Sequence, residues 1–273
     1  MSTQEGPAET PRPAFDTKEA EARQAEARAL TEATRAEFTH QLNVAYGEHP
    51  RQVLDLYLPS HPEGAPTLVF LHGGAFRRGE AGGVGYHGRP YLASGAIFAS
   101  MGYRLVPDAR FPDSGDDVEA GLEWLWSNVA DRGGDPDRIY LSGHSAGAML
   151  AASVGLRPRN QAIPDLVKGL VLISGMYDFT NQPSEIVNRD SPRYVARLTE
   201  AIERAPDHTI VVAGENDFPP AISGAHVLHE ALQARGASAE LFIEEGADHF
   251  RANQSFVVEG GGVFTSTTQM MKL

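Results

Sequence analysis

The chain has no cysteine, which removes disulfides, thiolate metal sites and cysteine nucleophiles. Basic residues are in deficit: 23 Lys and Arg stand against 36 Asp and Glu, a formal net charge of −13. An acidic surface repels nucleic acid and anionic membranes, so neither is expected as a partner. Long apolar runs are missing too, and none approaches the ~18 residues of a membrane span. The opening residues, Met1-Ser2-Thr3-Gln4-Glu5-Gly6-Pro7, carry no basic and no apolar stretch and do not read as a signal peptide. A cytoplasmic protein is the expectation. The hydrophobic share of 41% over 273 residues is enough to bury the core of one large domain.

Order along the chain suggests how that domain is built. Residues 1–15 are rich in Pro, Glu and Thr and read as a disordered tail. Asp16, with Glu19 three residues on, offers a capping box, and residues 16–43 read as an N-terminal helix. Ala22, Ala25, Ala29, Ala33 and Ala36 give it a thin apolar stripe, with Leu30, Phe38 and Leu42 adding bulk. That helix is a surface helix, a roof over the active site, or the contact of a homodimer. Residues 44–273 then alternate strand and helix. Strands are expected at 52–58 (antiparallel or at an edge), 67–71, 96–99, 103–106, 138–141, 169–174, 208–213 and 239–243. Helices are expected around Val118–Val129, Ala148–Val154, Tyr194–Arg204 and Ala221–Arg235. Such alternation predicts an α/β fold, a mostly parallel central sheet covered on both faces. The irregular stretch 179–207 reads as a small cap-like insertion.

The chemistry centres on Leu141-Ser142-Gly143-His144-Ser145-Ala146-Gly147, which follows an apolar strand and opens a small-residue helix. Strand, Gly-x-Ser-x-Gly, then helix is the setting of a nucleophile elbow, in which a sharp turn lifts the serine Oγ above the sheet edge. Alone, the pentapeptide is common enough to be only a flexible turn; other stretches give it meaning. A serine hydroxyl needs a base, and the base an orienting acid. In such sheets these come from loops at the carboxyl ends of later strands. One such loop is Gly214-Glu215-Asn216-Asp217-Phe218-Pro219; the other is Glu244-Glu245-Gly246-Ala247-Asp248-His249-Phe250. His249 is assigned as base and Asp217 as its orienter, with Glu215, Asp178 and Asp248 as the competing carboxylates. A histidine base must be neutral to accept a proton, so turnover should fall on the acid side.

Donors for an oxyanion are expected from Leu71-His72-Gly73-Gly74-Ala75-Phe76, where two glycines let the backbone approach the scissile carbonyl. Amides of Gly74 and Ala75, with Gly73 close behind, would act with that of Ala146, the residue after the serine. Phe76, His144, Tyr177, Phe218 and Phe250 are candidates for the substrate pocket from their loop positions, which favours a small or aromatic substrate. His226 and His229 sit at i and i+3 of a helix, but nothing completes a metal set, and no metal site is expected.

In sum, His72-Gly73-Gly74-Ala75-Phe76, Tyr103-Arg104-Leu105, Gly134-Asp135-Pro136-Asp137-Arg138-Ile139, Gly143-His144-Ser145-Ala146-Gly147, Asp217 and Ala247-Asp248-His249-Phe250 resemble the α/β-hydrolase superfamily. Within it they resemble the His-Gly-Gly esterases, which include hormone-sensitive-lipase-like carboxylesterases and kynurenine formamidases. They run in family order from about Val44 to Phe256. The resemblance implies an α/β-hydrolase fold, hydrolysis of an ester through a Ser145-His249-Asp217 triad and an acyl-enzyme, and no cofactor. Hydrolysis of an aryl formamide is the second expectation, and a non-catalytic binding homologue is the alternative of another class. It also implies that Tyr103-Arg104 brace the oxyanion loop. Two departures stand out. The formamidase-like branch usually has Trp where Phe76 stands. The hormone-sensitive-lipase-like branch usually has Gly at the position of Ala75 and an acid at that of His144.

Overall fold

A computed structural model describes residues 17–180, 182–191 and 196–273; the expected tail 1–15 and the capping residue Asp16 lie outside them. Eight strands form one sheet: β1 (Thr39–Ala45), β2 (Val53–Leu58), β3 (Ala65–Leu71), β4 (Ile97–Met101), β5 (Gly134–His144), β6 (Val167–Ile173), β7 (His208–Gly214) and β8 (Ala239–Glu244). Their order across the sheet is β1-β2-β4-β3-β5-β6-β7-β8. β1 and β2 pair antiparallel, β2 pairs antiparallel with β4, and every later neighbour is parallel. The helices are α1 (Thr17–Glu37), α2 (Arg89–Ala93), α3 (Asp113–Asn128), α4 (Ala146–Leu156), α5 (Ile163–Leu166), α6 (Pro219–Gln233) and α7 (Gly262–Met271). No helix among the described residues is long and apolar enough to cross a membrane.

Composition explains the layering. β3 is buried at all seven positions and β4 at all five, as strands covered on both faces must be. One apolar layer gathers α3, α4 and α6 around Leu122, Leu150 and Leu228; the other gathers α2, α7 and the turn Ala252–Val257 around Tyr91, Val263 and Phe256. α4 is buried at every residue. Its run of Ala and Gly lets it pass close beneath the sheet, which brings its N-terminus directly under the end of β5.

Several expectations are corrected. The N-terminal helix stops at Glu37, and Thr39–Ala45 is the edge strand β1. β2 is antiparallel to both neighbours, the first of its two expected states, and lies inside the sheet between β1 and β4 and not at its edge. The alanine stripe of α1 faces solvent, while Thr31 and Thr34 are buried. Polar bonds orient this helix: Thr31 Oγ1 accepts from the Tyr86 N–H (3.3 Å), and Arg35 reaches the Asp55 carboxylate (3.2 Å). Residues 103–106 are not a strand; the chain leaves the sheet at Gly102, and the Tyr103 side chain turns inward instead. Of the expected helix Tyr194–Arg204, Tyr194 and Val195 lie outside the described residues, and the rest contains only a turn at Leu198–Glu200. Arg197 forms an extended bridge with Asp178, which a helix would prevent. The final helix α7 had no counterpart in the sequence reading.

The described part of 179–207 is a strap, stitched to the segment before α3. Phe111 N–H donates to the Ile186 carbonyl and Asn188 N–H to that of Phe111, both at 2.8 Å. The Phe111 and Phe179 rings stack at 4.1 Å.

Candidate active site

Ser145 follows the last residue of β5 with φ 55° and ψ −118°, a conformation that costs a non-glycine residue on the order of 1–3 kcal/mol. Packing enforces it. The Ser145 N–H donates to the Ile173 carbonyl at 2.8 Å. A Cβ on Gly147 would lie 2.1 Å from the Leu71 carbonyl oxygen, and one on Gly143 2.5 Å from the Gly147 backbone. Only glycine at both positions lets α4 start so close to β3, and the serine hydroxyl is left at the rim.

The loops after β7 and β8 complete a continuous chain of hydrogen bonds. Ser145 Oγ donates to His249 Nε2 at 2.9 Å, and His249 Nδ1 donates to Asp217 Oδ1 at 2.7 Å. Asp217 also receives the Phe218 N–H on Oδ1 (2.7 Å) and the Ser174 hydroxyl on Oδ2 (2.5 Å). Burial works against the charge on Asp217, but the bonds from His249 and Ser174, and the Phe218 N–H, outweigh it and hold the carboxyl below its ordinary range. The orienting acid therefore stays ionised. The competing carboxylates are engaged elsewhere: Glu215 accepts the Gly246 N–H (2.8 Å), Asp178 pairs with Arg197 (3.1 Å), and Asp248 accepts the Phe250 and Arg251 N–H groups (3.0 and 2.8 Å).

The loop after β3 passes on the other side of Ser145. A Cβ on Gly73 would lie 3.3 Å from Ser145 Cβ, so this backbone runs alongside the nucleophile. Gly74, Ala75 and Phe76 all have positive φ, at 126°, 53° and 59°. Among the described residues no acceptor is paired with the N–H groups of Gly73, Gly74, Ala75 or Ala146. Beneath the loop, the Tyr103 hydroxyl donates to the His72 carbonyl (2.7 Å), and the two rings stack at 4.4 Å. His72 Nδ1 donates to the Gly73 carbonyl (2.8 Å), and burial lowers its pKa to about 4. Arg104 is tied to the buried Asp117 carboxylate at 2.7 Å.

The five expected pocket residues divide. Phe218 and Phe250 flank the base, their rings 4.4 and 5.4 Å from that of His249. The Arg23 guanidinium of α1 lies 4.2 Å over Phe250. Phe76 and Tyr177 are buried in the walls, each 3% exposed. Tyr177 packs so tightly on Gly175 that a Cβ there would lie 2.5 Å from its ring. His144 is also buried, with Nε2 bonded to the His249 carbonyl (2.8 Å). Apolar packing holds Phe76 and Tyr177, and this hydrogen bond holds His144. Ser174 was missed; its place at the carboxyl end of buried β6 was the available signal.

A family profile described as alpha/beta hydrolase fold matches residues 68–205. The probable isoprenylcysteine alpha-carbonyl methylesterase of Oryza sativa subsp. japonica is 30% identical over 76% of this chain and 56% of its own length. The chain thus spans little more than half of that relative. The kynurenine formamidase of Danio rerio is 28% identical over 84% of this chain and 81% of its own. A hyperthermophilic esterase from the archaeon Pyrobaculum calidifontis shares the fold, with TM-score 0.72 and 23% identity over 94% of this chain and 92% of that one. On the matched profile and the strand order that accompanies it, the chain belongs to the α/β-hydrolase family.

Proposed function

We propose that this chain is a serine hydrolase that cleaves a small or aromatic carboxylic ester through an acyl-enzyme. The observation that carries the reading is the unbroken contact from Ser145 Oγ through the His249 ring to Asp217, beside the amides of Gly73, Gly74 and Ala75, which have no acceptor among the described residues. Ser145 attacks the carbonyl carbon as His249 Nε2 takes its proton. The carbonyl oxygen becomes an oxyanion held by the N–H groups of Gly74, Ala75 and Ala146. His249 returns the proton to the leaving alcohol, and water repeats the sequence on the acyl-enzyme. Asp217 holds the Nδ1–H tautomer and stabilises the imidazolium. Phe218 and Phe250 line the base side, and the described part of the strap at 179–207 would serve as a small cap.

Aryl formamide hydrolysis is the second reading. It is favoured by the formamidase relative, which aligns over most of both chains. Esters come first because an alcohol leaves more readily than an amine. The test is a panel of nitrophenyl esters of increasing chain length together with N-formylkynurenine, with fluorophosphonate labelling of wild type and Ser145→Ala. Short or aromatic acyl groups should turn over best, and the label should map to Ser145. Preference for long chains overturns the substrate class. Absence of both labelling and turnover overturns the enzyme in favour of a binding homologue.

A further inference from the structure

His144, the residue before Ser145, has no part in the chemistry above, yet its ring packs beside that of His249. It lies 8% exposed at the end of β5. Its Nε2 donates to the main-chain carbonyl of His249 at 2.8 Å. Its ring is 4.9 Å, centroid to centroid, from the His249 ring. On its other side, Nδ1 is 3.2 Å from where a Cβ on Gly73 would be. One side chain thus touches the base loop and the oxyanion loop while sharing a peptide bond with the nucleophile.

We infer that His144 is a positioning residue: its Nε2–H holds the His249 backbone in register with the Ser145 hydroxyl. The inference rests on the triad reading above. Ser145 and His249 are linked twice, once by the catalytic hydrogen bond and once by the bond from the adjacent residue. The second link does not change during the reaction, when the first breaks and re-forms. A carboxylate at this place has no proton to donate and would face a carbonyl oxygen. A protonated histidine would place a cation beside the imidazolium that forms on His249. The environment keeps His144 neutral: burial, followed by the proximity of His249, lowers its pKa to about 3, and the opposing effects of its bond to the His249 carbonyl and of the Asp217 charge do not reverse this. A neutral ring with its proton on Nε2 is a donor at every pH where the base works.

The test compares His144→Phe and His144→Met, which fill the space without a donor, with His144→Gln, whose side-chain amide places an N–H near the original Nε2. Kinetics on a short nitrophenyl ester are read next to thermal melts and fluorophosphonate labelling. Phe and Met should lower kcat by roughly 10²-fold, the usual cost of a misplacement of about 1 Å, with KM little changed. Gln should recover about tenfold or more of that loss. A structural role alone would lower stability and not split kcat from KM. Retention of wild-type kcat by Phe or Met overturns the inference, as does Gln no better than Phe, or a loss that falls mainly on KM. Failure of the wild type to label at Ser145 is a different result, which overturns the underlying triad.

Discussion

The base loop and the oxyanion loop flank the same serine, and each leans on a buried neutral histidine. They are held by different means. On the base side, side chains reach the main chain and each other: His144 holds the His249 carbonyl, Ser174 and the Phe218 N–H hold Asp217. On the other side His72 and Tyr103 also reach the main chain, at the Gly73 and His72 carbonyls, but there the backbone is in addition bent through three successive positive φ values. The difference follows from the chemistry. Under the proposed mechanism His249 must change charge without moving, which calls for groups that tolerate both states. The oxyanion donors must be in place beforehand, which calls for a stiff main chain with idle amides.

The largest expected effect is at Asp217. Asp217→Asn should lower kcat by on the order of 10⁴-fold by favouring the wrong His249 tautomer, while Ser174→Ala should cost far less because Asp217 keeps its other donors. Equal losses from the two, measured as kcat on one ester, would mean that the base side is not organised around Asp217.

The next effect is on acid stability. Burial lowers His144 to a pKa of about 3, and His72 and His87 to about 4, from an ordinary value of 6.5. Between those values the unfolded chain binds more protons than the folded one. Stability is therefore lost as pH falls below about 6.5, by up to roughly 1.4 kcal/mol per pH unit for each histidine. Glu119 acts oppositely: burial raises it to about 7 against the Arg159 and Asn160 N–H bonds, so its contribution is lost as pH rises toward 7. Three groups outweigh one. Urea melts at pH 7 and pH 5 should show a clear loss at pH 5, and equal stability would contradict the burial of these rings as neutral groups. His87→Phe, which keeps the stack on Phe70, should flatten this dependence without the kinetic cost expected at His144.

Smaller still is Tyr103→Phe, which keeps the stack on His72 but removes its hydroxyl donor. A loss of about 1–3 kcal/mol in stability is expected from the stranded carbonyl, accompanied by slower turnover. Turnover unchanged at reduced stability would separate the brace from the oxyanion loop. The smallest effect is at Ala75, in the left-handed region at φ 53°. Ala75→Gly should stabilise by about 0.5 kcal/mol, visible as a small rise in Tm, whereas a fall would show that the alanine methyl packs against something essential.

Much of this site was legible because its residues obey local rules. Gly143, Ser145 and Gly147 are set by a turn that tolerates little else, and Asp217 and His249 by strand ends that α/β sheets use for ligands. What escaped depended on long-range partners. The first residues of β1, up to 43, read as helix because Phe38 and Leu42 extend the helical spacing of α1, and only pairing with β2 decides otherwise. The alanines of α1 pointed to an apolar face, but Thr31 and Arg35 found polar partners 55 and 20 residues away. The bond from His144 to the His249 carbonyl joins residues 105 positions apart, and no local pattern announces it. Ser174 is one small polar residue after an apolar strand, and nothing local connects it to a carboxylate 43 positions later.

The most direct test is a crystal structure of the protein after reaction with a small alkyl phosphonate. Phosphorus should be bonded to Ser145 Oγ, with the phosphonyl oxygen about 2.7–3.1 Å from the N–H groups of Ala146 and of Gly74 or Ala75, and His249 Nε2 should remain beside the Ser145 oxygen. An adduct on another residue, or a phosphonyl oxygen turned away from both amide sets, would contradict the account.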